Sequence, residues 1–327
     1  MKCFLWVLLL SWSSLGHASR DCSTIDLSGA IGSNWDQMDT SWCHAFATTD
    51  SLTKHLQNRG VLAKGERLHP LQIAAASPLK NRESVIKSTN VSGTMIDDVV
   101  ALSDAHYQAD KRTPPVRIND GLCKESDLAL EKNRAQALFN EDWRLAIRMF
   151  GEKDCRAGVT LRCASRDSLQ DAQLLCSALV KSEGAYWSKL FKNKCKLPWP
   201  DWQTRYHYNP SRIEWISSGK KLEPFSSRID KEMKIQIDKA LESNELAAIG
   251  FDVSFLRKLP KAKPESHWTA VVGRHPGPDG QCIYVLKNSW GSDCGYYSSQ
   301  IKCRGGTVEV PGDQLLPRVH TVQYFEN

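Results

Sequence analysis

Three short segments carry side chains that together could drive nucleophilic chemistry. Gln37-Met38-Asp39-Thr40-Ser41-Trp42-Cys43-His44-Ala45-Phe46-Ala47 holds a thiol. Ser266-His267-Trp268-Thr269-Ala270-Val271-Val272-Gly273 holds an imidazole, and Lys287-Asn288-Ser289-Trp290-Gly291 holds a side-chain amide. Acyl transfer by a thiol needs a thiolate that attacks a carbonyl carbon and an imidazole that later protonates the leaving amine. It also needs a group that fixes the imidazole tautomer without competing for its proton. A donor must sit where oxyanion charge develops, an effect worth about 3 kcal/mol. Taken alone, Cys43 reads as well as a small buried hydrophobe, and His267 alone as a structural histidine. No Cys-x-x-Cys and no histidine pair at zinc spacing occurs, so neither a metal site nor a cofactor is expected.

The elements that must position these groups are legible from periodicity. Ala45, Phe46, Thr49, Leu52, Thr53 and Leu56 recur at three- and four-residue steps, which predicts a helix over 43–58 ending near Gly60. Thr40 or Ser41 would cap it, putting Cys43 in the first turn. There, unpaired N–H groups and the positive end of the helix dipole favour thiolate. Residues 246–253, 268–273 and 282–287 read as strands, the last two joined by a turn-rich stretch, and 229–241 has helical spacing. A helical part followed by a mostly antiparallel β part predicts an α+β fold of two lobes. Between them, residues 124–204 form a stretch of their own. Phe139, Trp143, Ile147 and Phe150 line one helical face there, and Leu169, Ala172, Cys176, Leu179 and Val180 another. The expected organisation is 1–18, 19–123 with the thiol, 124–204 as a helical insertion, and 205–327 with the imidazole and amide.

Composition bounds the rest. The 327 residues carry a net charge of +6, 41% hydrophobic and 24% charged residues, which describes a folding chain rather than a disordered or fibrous one. Mild basicity without a concentrated patch argues against a nucleic-acid partner; Lys189, Lys192, Lys194 and Lys196 read as a solvated face. Lys2, the apolar run Phe4–Leu10 and Gly16-His17-Ala18 have the pattern of a cleaved secretory peptide, too short to span a bilayer. The expected location is therefore secreted or periplasmic, with no membrane contact after cleavage. In such a compartment most of the ten cysteines beyond Cys3 should pair. Cys43 is expected to keep its thiol, and Cys155, Cys163, Cys176 and Cys195 to pair mostly among themselves.

The three segments, in the order Cys, His, Asn, resemble the papain-like cysteine peptidases. The resemblance covers the first lobe to about residue 123 and everything after about 225. It implies a papain-like two-lobed fold, with a helical lobe and an antiparallel β lobe interrupted by the disulfide-bearing insertion. It assigns Cys43 as nucleophile, His267 as its base and acid, Asn288 as the group orienting His267, and Gln37 with the Cys43 backbone N–H as the oxyanion donors. Trp290, two residues after Asn288, resembles the tryptophan that shields the Asn–His hydrogen bond, and Ser92-Gly93 resembles the edge that pairs with substrate backbone. Leu68-His69-Pro70-Leu71-Gln72 resembles the opening of the family's second helix. The separation of Cys43 from His267 is 224 residues, against about 130–150 in the family, and the excess is about the length of the insertion. The chain departs from the family at Thr40, which replaces a structural cysteine, at His44, which replaces a large aromatic, and at Ser266, where Asp or Asn is usual. Asn90-Val91-Ser92 is also a glycosylation sequon.

The implied activity is hydrolysis of polypeptide through an acyl-enzyme. Two other readings share the fold, a thiol acyltransferase in which an amine replaces water and a catalytically silent binding module. With cleavage after Ala18, residues 19–42 leave no room for an inhibitory pro-segment of the usual kind. The insertion, which joins the two lobes, reads either as a filter on substrates at the cleft rim or as a surface outgrowth far from the cleft. Under the first reading, replacing residues 126–202 by a short Gly/Ser linker should raise turnover of whole proteins selectively. A folded variant with unchanged rates on both small esters and proteins would remove that role.

Overall fold

A computed structural model describes residues 22–37, 43–70, 72–73, 121–127, 195–197, 203–211, 227–259 and 264–326. The expectations placed on the leader, on Ser92-Gly93 and on the interior of the insertion lie outside the described residues.

The architecture is α+β, built on one antiparallel sheet. Its strands are β1 (Ile25–Asp26), β2 (Gln203–Tyr208), β3 (Ala247–Asp252), β4 (Ser266–Pro276), β5 (Cys282–Lys287), β6 (Lys302–Arg304), β7 (Thr307–Pro311) and β8 (Val319–Glu326). They run in the order β2-β8-β3-β4-β5-β7-β6, with β1 paired to β4. Among the described residues two long helices accompany them, α1 (Cys43–Asn58) and α2 (Ser227–Glu242), at the bounds the periodicity predicts to within two residues.

Both faces of the sheet are covered, which explains why β3 and β4 read as continuous apolar runs instead of alternating ones. On one face Met233, Ile237, Ala240 and Leu241 of α2 pack with Ile249, Phe251, Val271, Leu286, Val322 and Tyr324. The alternate residues Ala270 and Val272 pack with Ile31 and Leu246 on the other. On that second side Lys287, opposite Ala270 in the register, reaches Asp50 of α1. Each fully buried large apolar side chain contributes roughly 1.5–3 kcal/mol.

Helix α1 is enclosed on every side, with all residues from His44 to Leu56 buried. Its polar side chains must then find partners inside. Thr49 Oγ1 donates to Ala45 O at 2.7 Å, and Thr53 Oγ1 accepts from Leu68 N at 3.1 Å. His55 Nδ1 lies 3.0 Å from Glu245 Oε1, with its ring stacked on Phe325. Asp50 and Lys287 form an ion pair at 2.9 Å, their side chains only 5% and 3% exposed.

Three disulfides link Cys22 to Cys282, Cys123 to Cys195 and Cys294 to Cys303. They fit an oxidising compartment. Among the described residues no helix is long and apolar enough to cross a membrane. The pairing of Cys195 corrects the expectation that it joins another cysteine of the insertion. Leu122 and Leu197 exchange backbone hydrogen bonds of 2.8 and 3.2 Å, which brings Cys123 and Cys195 together. Gln72 clamps the same stem, donating to Gly121 O at 2.9 Å and accepting from Cys123 N at 2.8 Å. Gly121 is required by this close approach, since a Cβ there would lie 2.6 Å from Leu197 O. Closing a loop of 72 residues stabilises the fold by roughly 4 kcal/mol in the chain-entropy account.

Lys287→Met should destabilise the protein by about 3–5 kcal/mol in urea unfolding, because it strands a buried carboxylate. The double variant Asp50→Leu/Lys287→Met should recover part of that loss. A single-variant cost under about 1 kcal/mol would mean the pair is solvated and unimportant.

Candidate active site

Cys43 is the first residue of α1 and half-buried, and its sulfur stands outside all three disulfides. The helix gives it the setting in which a thiolate is favoured. His267 is the second residue of β4, opposite Phe251 in the register, and its side chain is buried with Phe251 edge-on at 6.0 Å. Asn288 follows directly on β5, the next strand over, so that the pairing of β4 with β5 carries the amide to the imidazole.

His267 Nε2 and Asn288 Oδ1 are 2.6 Å apart. Ser289 N also donates to that oxygen, at 2.9 Å. A carbonyl oxygen only accepts, so Nε2 carries the ring proton and the Nδ1 of a neutral imidazole is left as the basic nitrogen. Burial pushes the His267 pKa down to about 4, against the opposing pull of the Asn288 hydrogen bond and of Glu265; Arg257 adds to the lowering. The imidazole is therefore neutral near pH 7 unless an anion beside it stabilises the imidazolium.

Gln37 is tied to the same loop. Its backbone N–H donates to Ser289 O at 2.7 Å, and Ser289 Oγ donates to Gln37 Oε1. With the amide oxygen so occupied, the Gln37 NH₂ is the end left to act as a donor. Asp36 bridges Trp290, and Gly291 N donates to Trp35 O at 2.8 Å, so residues 35–37 run antiparallel along 289–291. The seat of this loop explains Gly306 (φ +82°), where any Cβ would overlap the Gly291 carbonyl.

Trp290 leans on the His267 ring at 5.3 Å between centroids, and Tyr297 stacks on its indole at 5.4 Å. The predicted residues Gln37, His267, Asn288 and Trp290 are thus in one cluster of contacts, with Cys43 at the head of the helix that packs on β4. Ser92 and Gly93 lie outside the described residues. His44, expected to shape the thiol's surroundings, is buried, and Ser266 is exposed. Sequence reasoning missed Asp50, Lys287, Tyr297, Arg257 and Glu265. Only Lys287 had a signal, an ionisable residue ending an apolar strand.

No protein-family model and no curated protein matches this chain. Among solved structures it is similar to the Amb a 11 cysteine protease, a major ragweed pollen allergen, in its proform, with 12% identity and a TM-score of 0.42 over 92% of this chain. The chain spans 64% of that protein's length. It is similar also to PepW from Lactobacillus rhamnosis, with 13% identity, a TM-score of 0.42, and 92% and 81% of the two chains covered. The functional reading rests on the site's own geometry.

In Cys43→Ala protein, ring nitrogen shifts should report His267 as the neutral Nε2–H tautomer from pH 8 down to about pH 5, with protonation setting in near pH 4. A proton on Nδ1 in the neutral ring would contradict the hydrogen-bond assignment, and titration near 6.5 would contradict the dominance of burial over the Asn288 hydrogen bond.

Proposed function

We propose that the chain is an exported papain-like thiol peptidase in which Cys43, His267, Asn288 and Gln37 carry the reaction. The observation that supports this most is the unbroken hydrogen-bond chain from Gln37 through Ser289 and Asn288 to His267. It fixes an imidazole tautomer and an amide donor together, which a merely structural histidine does not need.

The steps follow from those groups. His267 Nδ1 takes the thiol proton, and the imidazolium, disfavoured by burial alone, is held by the thiolate it faces. The Cys43 sulfur adds to the scissile carbonyl carbon. The developing oxyanion receives hydrogen bonds from the Gln37 amide and the Cys43 backbone N–H, donors already oriented before the charge appears. His267 Nδ1–H then passes its proton to the leaving amine as the C–N bond breaks, leaving a thioester. Water attacks the thioester with Nδ1 as general base, the C–S bond breaks and the acid product leaves. Trp290 over the ring keeps water from competing for the Nε2–Asn288 bond, so the imidazole holds its orientation throughout.

Iodoacetamide should alkylate Cys43 preferentially and stop cleavage of a peptide library, and Cys43→Ala should abolish it. Gln37→Ala should lower kcat by about 10²–10³ with little change in KM. Product masses decide among the related readings. Free acids mean hydrolysis, new amide bonds to an added amine mean acyl transfer, and no turnover by a folded protein means a binding module. Unimpaired cleavage by Cys43→Ala would overturn the proposal.

A further inference from the structure

The imidazole that delivers a proton to the leaving amine also defines where the C-terminal part of a substrate must lie, namely on the His267 side of the thiol. Trp290 borders that side, 5.3 Å from the imidazole. The guanidinium of Arg257 lies over the same indole, 4.7 Å from its centroid. Arg257 reaches this point because the helical turn at 254–256 ends against the loop of Tyr297, through hydrogen bonds from Lys258 N to Tyr296 O and from Ser298 N to Leu256 O.

The guanidinium is only partly committed. Its Nη2 meets Glu265 Oε1 at 3.0 Å, with about a third of each side chain exposed. Its Nε is enclosed yet meets no acceptor among the described residues. An enclosed donor on a cation left unmatched is costly in a finished structure, and the exposed third of the guanidinium side chain is the part open to a ligand oxygen. Lys258 beside it is exposed, and from Arg257 to Ser266 the sequence has four basic residues against the single acid Glu265.

We propose that Arg257 selects peptides with an acidic residue just C-terminal to the scissile bond, whose carboxylate it takes up from its seat on Trp290. This rests on the peptidase reading above. A planar guanidinium stacked on an aromatic ring keeps its edge N–H groups available and loses little freedom on binding a carboxylate. One face of the cation is covered by the indole, so the interaction is screened less than one on open surface. A basic residue in the same place meets like charge and is rejected. Arg257 also opposes a positive charge on His267. A substrate carboxylate at Arg257 offsets that opposition just when the imidazolium must form, so the preference belongs to kcat/KM for acylation.

The full chain is assayed on quenched peptides identical except for Glu, Ala or Lys directly after the scissile bond. Wild-type kcat/KM should favour Glu over Lys at least about tenfold, with the ratio shrinking in 1 M NaCl. Arg257→Gln should bring the ratio to within about twofold, and Arg257→Glu should invert it. Glu265→Gln removes the carboxylate that competes for the guanidinium and should raise the ratio above wild type, an effect that lost folding cannot imitate. Cys43-dependent cleavage with a wild-type ratio near one, or a ratio that Arg257→Gln leaves unchanged, would overturn the selectivity while leaving the peptidase reading intact. Absence of Cys43-dependent cleavage of every peptide would overturn both.

Discussion

A buried ammonium joins the halves of the site. Lys287 Nζ meets both Asp50 oxygens, at 2.9 and 3.1 Å, and the Ile31 carbonyl at 3.1 Å. Those three acceptors match the three donors of a lysine. Burial opposes the charge on each partner, raising the Asp50 pKa and lowering that of Lys287, and their attraction opposes both shifts. A pair of this kind adds little net stability, but it admits few alternative geometries, because any displacement strands a charge. Asp50 lies two turns down the helix that begins at Cys43, and Lys287 is the residue before Asn288. The pair therefore fixes the register between the helix carrying the thiol and the strand delivering the amide.

The chemistry depends on the same logic at smaller scale. Asn288 Oδ1 accepts from both His267 Nε2 and Ser289 N, so its oxygen faces the ring. The Tyr297 hydroxyl and Asn288 Nδ2 are both enclosed on the far side of that amide. Burial raises the Tyr297 pKa, and the Asn288 amide opposes the rise, which places these two groups within each other's influence. Trp290, which leans on the imidazole, is itself in contact with Tyr297 and Arg257. In such a buried setting each hydrogen bond is stronger and each misplacement costs more.

The disulfides act at the margins of this arrangement. Cys22–Cys282 fastens the N-terminal segment to the start of β5, while β1 pairs with β4 on the other side of the same hairpin. Cys294–Cys303 closes the loop that carries Tyr297. Cys123–Cys195 lies beside Gln72, which donates to the Gly121 carbonyl.

The helices, strands and candidate residues were legible in the amino-acid order. The three- and four-residue steps from Ala45 to Leu56 specify α1, the apolar runs at 246–253, 268–273 and 282–287 specify three strands, and the resemblance to papain-like peptidases picks out Cys43, His267, Asn288, Gln37 and Trp290. These are local signals, set by periodicity and by what a thiol needs around it. The partnerships emerge on folding. Nothing in the spacing says that Asp50 meets Lys287, that Cys195 turns to Cys123, or that Arg257 crosses to Trp290. Each is a contact between residues distant in sequence, and a charged or sulfur-bearing side chain reads the same whether it faces water or a partner. Which one it faces is fixed only when strand pairing and burial bring the other half within reach.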